Sequence, residues 1–254
     1  GNPKGVMISH GAVNNTLLWL QDEFNLTESD VVAQKTSSSF TDSVWEFFWT
    51  LMAGAKMIII PEDIVKDPIR LYQKFKEEHI TVTQFVPALL RVFLEVVKAA
   101  GEKDPLPSLR WSFNGGEALP VELVQEWYKI FRCARIANIY GMTESAIYAT
   151  CNKIDIGSHE NENTVPLGTP IANTHVYIMD DSGREAGFNT HGQICIGGKG
   201  VTSGYWKQPE LTEGAFIRHP ETGERLYCTG DLGCLRPDGI FEYLGRRDEQ
   251  VQVR

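Results

Sequence analysis

The sequence predicts an α/β protein: parallel-sheet α/β layers followed by a small, distorted antiparallel β-barrel. Up to about Ile154, short apolar runs alternate with stretches whose apolar residues recur at helical spacing, the pattern of a largely parallel sheet with crossover helices. From Gly168 onward short alternating strands are divided by turn signals such as Asp181-Ser-Gly and Pro237-Asp-Gly, which is hairpin-rich β structure. The apolar run Ile136–Tyr140 also stops abruptly at Gly-Met-Thr-Glu-Ser. That places small polar groups in a loop off the carboxyl end of a strand, where open α/β sheets bind ligands.

Taken in order, Gly1-Asn-Pro-Lys-Gly5 is a basic loop leading into Val6–Ile8, and Lys4 there can meet a phosphate as a point charge. Val13, Leu17, Leu20 and Phe24 recur at helical spacing. Ser43-x-x-Glu46 is a capping-box pattern, so a helix is expected to begin at Ser43 and stop near Gly54. Asp42 then has two readings, as the N-cap itself or as a carboxylate pointing into a pocket beside Trp45. The second is preferred because Ser43 with Glu46 fills the cap better. Lys56–Ile60 reads as a buried strand ended by Pro61. Asp67-Pro68 opens a helix with Ile69, Tyr72 and Phe75 as its inner stripe.

Thr81–Phe85 is a strand, and Ala88–Ala100 is a helix closed by Gly101 with Leu89, Leu90, Phe93, Leu94 and Val97 inward. The strand Leu109–Asn114 ends in Gly-Gly-Glu before the helix Pro120–Phe131. Such a junction can lay backbone against a planar ligand or be a tight turn alone. Ser158–Thr164 is the expected flexible connector, followed by strands at Thr174–Met179, Gln193–Ile196 and Ile240–Leu244. The α/β portion is assigned to residues 1–165 and the β-rich portion to 166–245.

Within Asn138–Tyr148, Gly141 lets the backbone approach a ligand closely. Thr143 offers a hydroxyl to an oxyanion, and Glu144 offers a carboxylate that can hold Mg²⁺. Tyr140 offers a flat face on which a base can stack. By itself the stretch also reads as a polar turn capping the next element.

The net charge of −9 argues against general affinity for nucleic acid or an anionic membrane, so a phosphate site needs local donors. The five cysteines form no C-x-x-C pair, which suits reduced thiols in the cytoplasm and no zinc site. No apolar run approaches a membrane span, and the start has no signal-peptide layout. The chain opens inside a glycine-lysine loop and stops at Arg254 while the strand-like QVQVR is running, so a fragment of something longer is expected.

The stretches GNPKG (1–5), FTDSVWE (40–46), NGGEAL (114–119), YGMTES (140–145), GGKGVTSGYW (197–206), YCTGD (227–231) and YLGRRDEQVQVR (243–254) occur in an order and spacing that resemble the adenylate-forming superfamily. The likeness is strongest to the adenylation domains of nonribosomal peptide synthetases, over essentially the whole chain. The resemblance implies ATP-dependent activation of a carboxylic acid as an acyl-adenylate, with Mg²⁺, and transfer to a phosphopantetheine thiol on a peptidyl carrier protein domain. Lys4 and Gly5 resemble the tail of the phosphate loop, and Gly116 and Glu117 the adenine-pocket turn. Tyr140 with Gly141 resembles the adenine-stacking position, Thr143 a phosphate contact and Glu144 the Mg²⁺ ligand. Asp231 resembles the carboxylate that clamps the ribose hydroxyls, although it also reads as a turn cap after Gly230. Arg246 resembles an arginine near ribose and phosphates, and Asp248 a hinge, so 246–254 would open the C-terminal subdomain that carries the family's catalytic lysine. A chain without that subdomain is expected to turn over poorly.

By the same resemblance the substrate pocket comprises Phe40, Thr41, Asp42, Trp45, Gln84, Phe113, Gly115, Ile139, Ile147 and Tyr148. Relatives that activate α-amino acids usually carry Asp directly after the phenylalanine corresponding to Phe40. Here Thr41 stands there and the carboxylate comes one residue later. A neutral Thr cannot supply the ion pair that offsets desolvation of an ammonium. A shifted carboxylate suits an amine one carbon further out, so a β-amino acid is expected first. An amine-free keto or hydroxy acid is the rival. Other readings of the whole are a stand-alone acyl-CoA ligase and a degenerate, non-catalytic adenylation domain.

Overall fold

The computed structural model describes residues 4–247, so the expected hinge residue Asp248 and the strand-like 250–254 lie outside the described residues. Along the chain run α1 (His10–Phe24), β1 (Val31–Gln34), α2 (Asp42–Met52), β2 (Lys56–Ile59), α3 (Glu62–Val65), α4 (Pro68–Glu77), β3 (Val82–Phe85), α5 (Pro87–Ala100), β4 (Trp111–Asn114), α6 (Val121–Ile130) and β5 (Arg135–Tyr140). After a 3-10 turn at Thr143–Ser145 come β6 (Thr150–Ile154), β7 (Thr169–Pro170), β8 (Thr174–Met179), β9 (Gly192–Gly198), α7 (Pro209–Ala215), β10 (Phe216–Arg218), β11 (Arg225–Leu235) and β12 (Phe241–Arg246). Two compact units result: residues 20–139 with 152–165, and residues 4–19 with 140–151 and 166–247.

The first unit is the α/β unit. Its strands run β2-β1-β3-β4-β5, every pair parallel. Parallel pairing brings the carboxyl ends of these strands to one edge, with Gln84 opposite Phe113 and Asn114 opposite Asn138. Helices α4, α5 and α6 pack side by side over a core that includes Leu71, Phe75, Leu90, Phe93, Leu94 and Trp127, each contributing ~1.5–3 kcal/mol by burial. Helix α4 starts as expected: the Asp67 carboxylate accepts the N–H groups of Ile69 and Arg70, and Pro68 occupies the first turn. Helix α5 stops at Gly101, whose φ of 67° is left-handed.

Four expectations in this unit need correcting. Helix α2 begins at Asp42, and its cap residue Thr41 makes no side-chain cap bond. Instead of a capping box, the Ser43 hydroxyl donates to the Phe40 carbonyl at 2.7 Å, and Glu46 turns away to the end of β1. Strand β2 is not buried: it is the sheet edge, and Ile59 is 65% exposed. On α4 the inner stripe is Leu71, Tyr72 and Phe75, while Ile69 is 58% exposed. Leu71 and Phe75 lie four apart on one helical face, and Ile69 falls outside it. The segment 158–164 is tied down near the head of α6, where the Val121 N–H donates to Asn163 O at 3.1 Å.

The second unit carries an antiparallel, half-barrel sheet in the order β10-β11-β9-β8, with β12 also on β11. Register shifts interrupt β11 against β9 between Cys228 and Leu232, and against β12 between Leu232 and Gly233. Such irregularities bend a strand and increase its twist, which curls the sheet. Inward residues Val176, Ile178, Ile194, Ile196 and Phe241 form its core with Ala149 and Leu167. The β8–β9 hairpin turns at Asp180, whose carboxylate accepts the N–H groups of Ser182 and Arg184.

Candidate functional site

In the α/β unit the carboxyl edge of the parallel sheet gathers most of the expected acid-pocket residues. Trp45 and Phe113 are fully buried with ring centroids 5.4 Å apart, and Trp49 stands 5.7 Å from Trp45. Gln84, at the end of β3, accepts the Trp45 indole N–H on Oε1 at 2.8 Å and donates from Nε2 to Asp42 Oδ1 at 2.8 Å. Gly115 lies so close to β5 that an added Cβ would stand 2.6 Å from the Ile139 carbonyl oxygen. Gly116 adopts φ 82° in the turn after β4, with half-buried Glu117 next to it. Phe40 differs from them in being 64% exposed, on the turn before α2.

Sequence reading missed two charged residues here. Glu46 is fully buried, and its carboxylate accepts the N–H groups of Lys35 and Thr36 at 3.1 and 3.0 Å and the Thr36 hydroxyl at 2.7 Å. Burial pushes its carboxyl pKa up, opposed by the Lys35 ammonium and the Thr36 donors. The Lys35 ammonium lies over the Phe85 ring, 5.1 Å from its centroid. Burial pulls its pKa down, and the Glu46 and Asp42 carboxylates pull it back up. Asp42 therefore sits in the field of the protein's own cation. The capping-box pattern hid this, because it assigned Glu46 to the helix terminus.

In the β-rich unit a polar cluster forms where Tyr140 meets β11 and β12. The Tyr140 hydroxyl donates to Asp231 Oδ2 at 2.7 Å, and Arg246 donates to Asp231 Oδ1 and to the Thr229 carbonyl, both at 3.0 Å. Asp231 is buried and its own N–H is held by the Thr229 hydroxyl at 2.9 Å. Burial, and then the Asp231 carboxylate, hold the Tyr140 phenol well above its ordinary pKa. Gly230 makes room for this: a Cβ there would stand 2.8 Å from the Arg246 guanidinium. Glu144 Oε1 accepts the Tyr205 hydroxyl at 2.7 Å, and the Lys4 ammonium lies 5.1 Å from the Tyr205 ring centroid. The Gly5 carbonyl accepts the Trp206 N–H at 2.6 Å, which anchors the chain at Gly5. Lys4, Tyr205, Tyr227, Thr229, Gly230 and Arg246 are among the residues that line one open cleft of about 630 Å³. Tyr205 was not singled out from sequence, although it lies inside GGKGVTSGYW.

The loop after β5 also departs from expectation. Gly141 is required by the backbone packed against it: a Cβ there would stand 2.1 Å from the Ile147 carbonyl oxygen and 2.6 Å from Tyr148 Cα. Thr143 and Glu144 form a single 3-10 turn. Ala146 and Ile147 follow with φ 53° and 87°, strained values for residues with side chains, above all for β-branched Ile147. Ile147 and Tyr148 are both buried, Tyr148 edge-on to Trp19 at 6.5 Å.

A family model described as "AMP-binding enzyme" matches residues 1–206. The chain belongs to the AMP-binding enzyme family. Tyrocidine synthase 3 of Brevibacillus parabrevis is 39% identical over 258 residues, which cover all of this chain and 4% of that protein. The crystal structure of the nonribosomal peptide synthetase FmoA3 (S1046A) in its alpha-methyl-L-serine-AMP bound form superposes with a TM-score of 0.93 at 31% identity, over 98% of this chain and 28% of that one. The Vibrio cholerae adenylation domain AlmE, solved with glycyl-adenosine-5′-phosphate, matches with a TM-score of 0.89 at 28% identity, over 99% of this chain and 47% of that one. The chain thus spans between 4% and 47% of the length of these relatives. Its fold is that of the adenylation-domain N-terminal core.

For an AMP-binding enzyme the metal question concerns Glu144. No group of three or more His, Cys, Asp or Glu side chains gathers among the described residues, so no all-protein cage is present there. Mg²⁺ at nucleotide sites is held by one or two carboxylates plus phosphates and water. A lone carboxylate oriented by the Tyr205 hydroxyl, as Glu144 is, fits that demand.

Proposed function

We propose that this AMP-binding enzyme activates a small carboxylic acid, an amino acid, as its acyl-adenylate. A carboxylate oxygen of the acid attacks the α-phosphorus of ATP, the bond to the bridging oxygen breaks, and pyrophosphate leaves with the electron pair. The phosphopantetheine thiol of a peptidyl carrier protein domain, giving up its proton, then attacks the acyl carbonyl; the thioester forms as the bond from the acyl carbon to the phosphate oxygen breaks and AMP leaves. The reading is carried by the Tyr140–Asp231–Arg246 cluster. It offers an acceptor-only carboxylate to ribose hydroxyls, an aromatic face to adenine and a guanidinium to phosphate.

Reaction of two anions requires their repulsion to be offset, and positioned cations and donors do most of such catalysis. Lys4, Arg246 and Thr143 are assigned to the phosphates, Gly5 to the phosphate loop, and Gly116, Glu117 and Gly141 to the adenine side. Glu144 would hold Mg²⁺, which when bound neutralises phosphate charge. Asp248 is assigned to the hinge with a C-terminal subdomain, with 1–165, 166–245 and 246–254 as the functional divisions. Free thiols at all five cysteines suit a cytoplasmic setting.

For the acid, Thr41, Asp42, Trp45, Gln84, Phe113, Gly115, Ile139, Ile147 and Tyr148 form the assigned pocket. A β-amino acid is the preferred substrate, with Asp42 pairing its ammonium. The bond from Gln84 supports this, because it engages Asp42 Oδ1 with the sheet, while the N-cap position of α2 falls on Thr41. The adenylates bound by FmoA3 and AlmE are of amino acids, which supports the broader class. The amine-free acid is the rival: the Asp42 carboxylate, after Glu46, raises the pKa of the Lys35 ammonium against its burial, which gives Asp42 a role without a substrate amine. Substrate-dependent ATP–pyrophosphate exchange by the full-length protein decides between them. Exchange with a β-amino acid that Asp42→Ala abolishes supports the first reading. Exchange only with keto or hydroxy acids overturns it.

A further inference from the structure

The geometry points to Trp45 and Gln84 as positioning residues that fix the orientation of the Asp42 carboxylate, an inference that rests on the amino-group reading of Asp42. The argument is one of hydrogen-bond polarity. An indole N–H can only donate and a carboxylate can only accept, whereas a side-chain amide can do both. Gln84 lies between them, with 2.8 Å to Trp45 Nε1 on its oxygen and 2.8 Å to Asp42 Oδ1 on its nitrogen. Only one amide orientation satisfies both contacts. The flipped amide would set N–H against N–H and C=O against carboxylate, two repulsive contacts in place of two bonds. Trp45 thereby selects which way Gln84 faces, and Gln84 selects where Asp42 points.

Both relay members stand on rigid supports. The Trp45 ring is fully buried against Trp49 and Phe113, at 5.7 and 5.4 Å. Gln84 is 6% exposed on β3 and pairs in register with Phe113 on β4. Asp42 is the first residue of α2, where its own helix would offer it N–H groups, yet its Oδ1 is taken by the sheet. The other charges facing this corner are Lys35 at the end of β1, which attracts Asp42, and Glu46 one helical turn on along α2. A carboxylate between a fixed amide donor and a nearby ammonium has its direction set before substrate arrives, which is how supporting shells keep a binding group productive.

The test uses the full-length protein and the amino acid that best supports exchange. Trp45→Phe keeps an aromatic ring at the site and removes the N–H together with the pyrrole half of the indole, a packing loss that the comparison of backgrounds separates from the hydrogen bond. It is expected to lower kcat/KM for that acid about tenfold, through KM of the acid with KM of ATP unchanged, the scale seen when a supporting hydrogen bond is lost. In an Asp42→Asn background the same change is expected to cost nothing further. An equal loss in both backgrounds overturns the relay and leaves Trp45 a packing residue. A loss on Asp42→Asn with none on Trp45→Phe also overturns it, while the reading of Asp42 stands.

If Asp42→Asn leaves exchange intact, the amino-group reading fails, and the relay is then judged by NMR of protein labelled with ¹⁵N-tryptophan. The Trp45 indole resonance, identified by its absence in Trp45→Phe, is expected to move on Asp42→Asn by clearly more when Gln84 is present than in Gln84→Met. Equal shifts in the two backgrounds overturn the relay.

Discussion

Tyr140 donates its hydroxyl hydrogen to Asp231 Oδ2 at 2.7 Å, closing 91 residues of chain into one polar cluster. Burial and the adjoining carboxylate hold the phenol pKa well above its ordinary value, so the hydroxyl keeps the hydrogen it donates at neutral pH. The hydroxyl orients Asp231, and the proposed stacking role of the ring separates from it by substitution. Tyr140→Phe keeps the face and is expected to raise KM for ATP by less than about fivefold, the loss of one hydrogen bond. Tyr140→Ala removes the face too and is expected to raise it by about tenfold or more, since base stacking contributes ~1–3 kcal/mol. Exchange kinetics at varied ATP check both. Equal effects of the two would deny the ring a stacking role.

Gly141 yields a stability prediction. A Cβ at 2.1 Å from the Ile147 carbonyl oxygen cannot be accommodated without moving backbone on one side. Ala146 and Ile147 already occupy left-handed φ, so the loop has little freedom left to yield. Gly141→Ala is expected to destabilise the β-rich unit by about 1–3 kcal/mol, the usual range for overpacking, and to lower exchange activity. Urea unfolding followed by tryptophan fluorescence measures the first. An unchanged midpoint would mean that the 141–148 loop relaxes freely.

What the sequence made legible follows the range of the interactions involved. Asp67-Pro68 and Gly101 announced helix ends because caps are local, and the change of period near Gly168 announced the antiparallel sheet. Strand β2 was misread because edge or interior is decided by which strands neighbour it, and Lys56–Ile59 carries no mark of having only one. Glu46 was misread because a capping box and a long-range carboxylate use the same residue at the same spacing. The pairing of Asp231 with Arg246 was visible only as motif wording. Their meeting depends on the register of β11 against β12, which includes an irregularity. The Trp45–Gln84–Asp42 chain joins a helix to a strand 39 and 42 residues away and had no sequence signal.

Asp30 gives a pH dependence. Its carboxylate is 2% exposed and accepts from Arg110 at 2.6 Å, the Thr27 N–H at 2.8 Å and the Thr81 hydroxyl at 2.8 Å. Burial alone would raise its pKa, but the Arg110 bond and the Thr27 and Thr81 donors outweigh it and leave the pKa lowered. A lowered carboxyl pKa means that the unfolded chain binds the proton more tightly. The stabilisation is therefore full above the unfolded value of about 3.9 and is lost as pH falls through the folded one. Asp30→Asn is expected to unfold at lower urea at pH 7, by about 1–3 kcal/mol, and to show a shallower acid limb than the parent. Parallel limbs would place the acid sensitivity elsewhere.

Glu46 has the opposite sign. Burial raises its pKa above the unfolded value, so the folded chain binds the proton more tightly. Its contribution is greatest below about pH 4.3 and declines as pH rises toward the folded pKa, while its bonds to Lys35, Thr36 and Gln34 limit the decline. Glu46→Ala leaves two backbone N–H groups, the Thr36 hydroxyl and the Gln34 amide without their acceptor and removes the carboxylate that favours the Lys35 ammonium, and is expected to cost about 3–5 kcal/mol. Glu46→Gln keeps one acceptor oxygen but turns an NH₂ toward a donor, and is expected to cost less at pH 7, about 1–3 kcal/mol. Gln does not titrate, so the stability gap between parent and Glu46→Gln should widen as the pH is lowered from about 7 to about 4, because the parent alone gains from taking up the proton. Urea midpoints across that range measure it. A gap that narrows would mean that the Lys35 and Thr36 donors hold the folded carboxylate below its unfolded pKa, and that the ionised group, against the cost of burying it, is what fixes the end of β1 to α2.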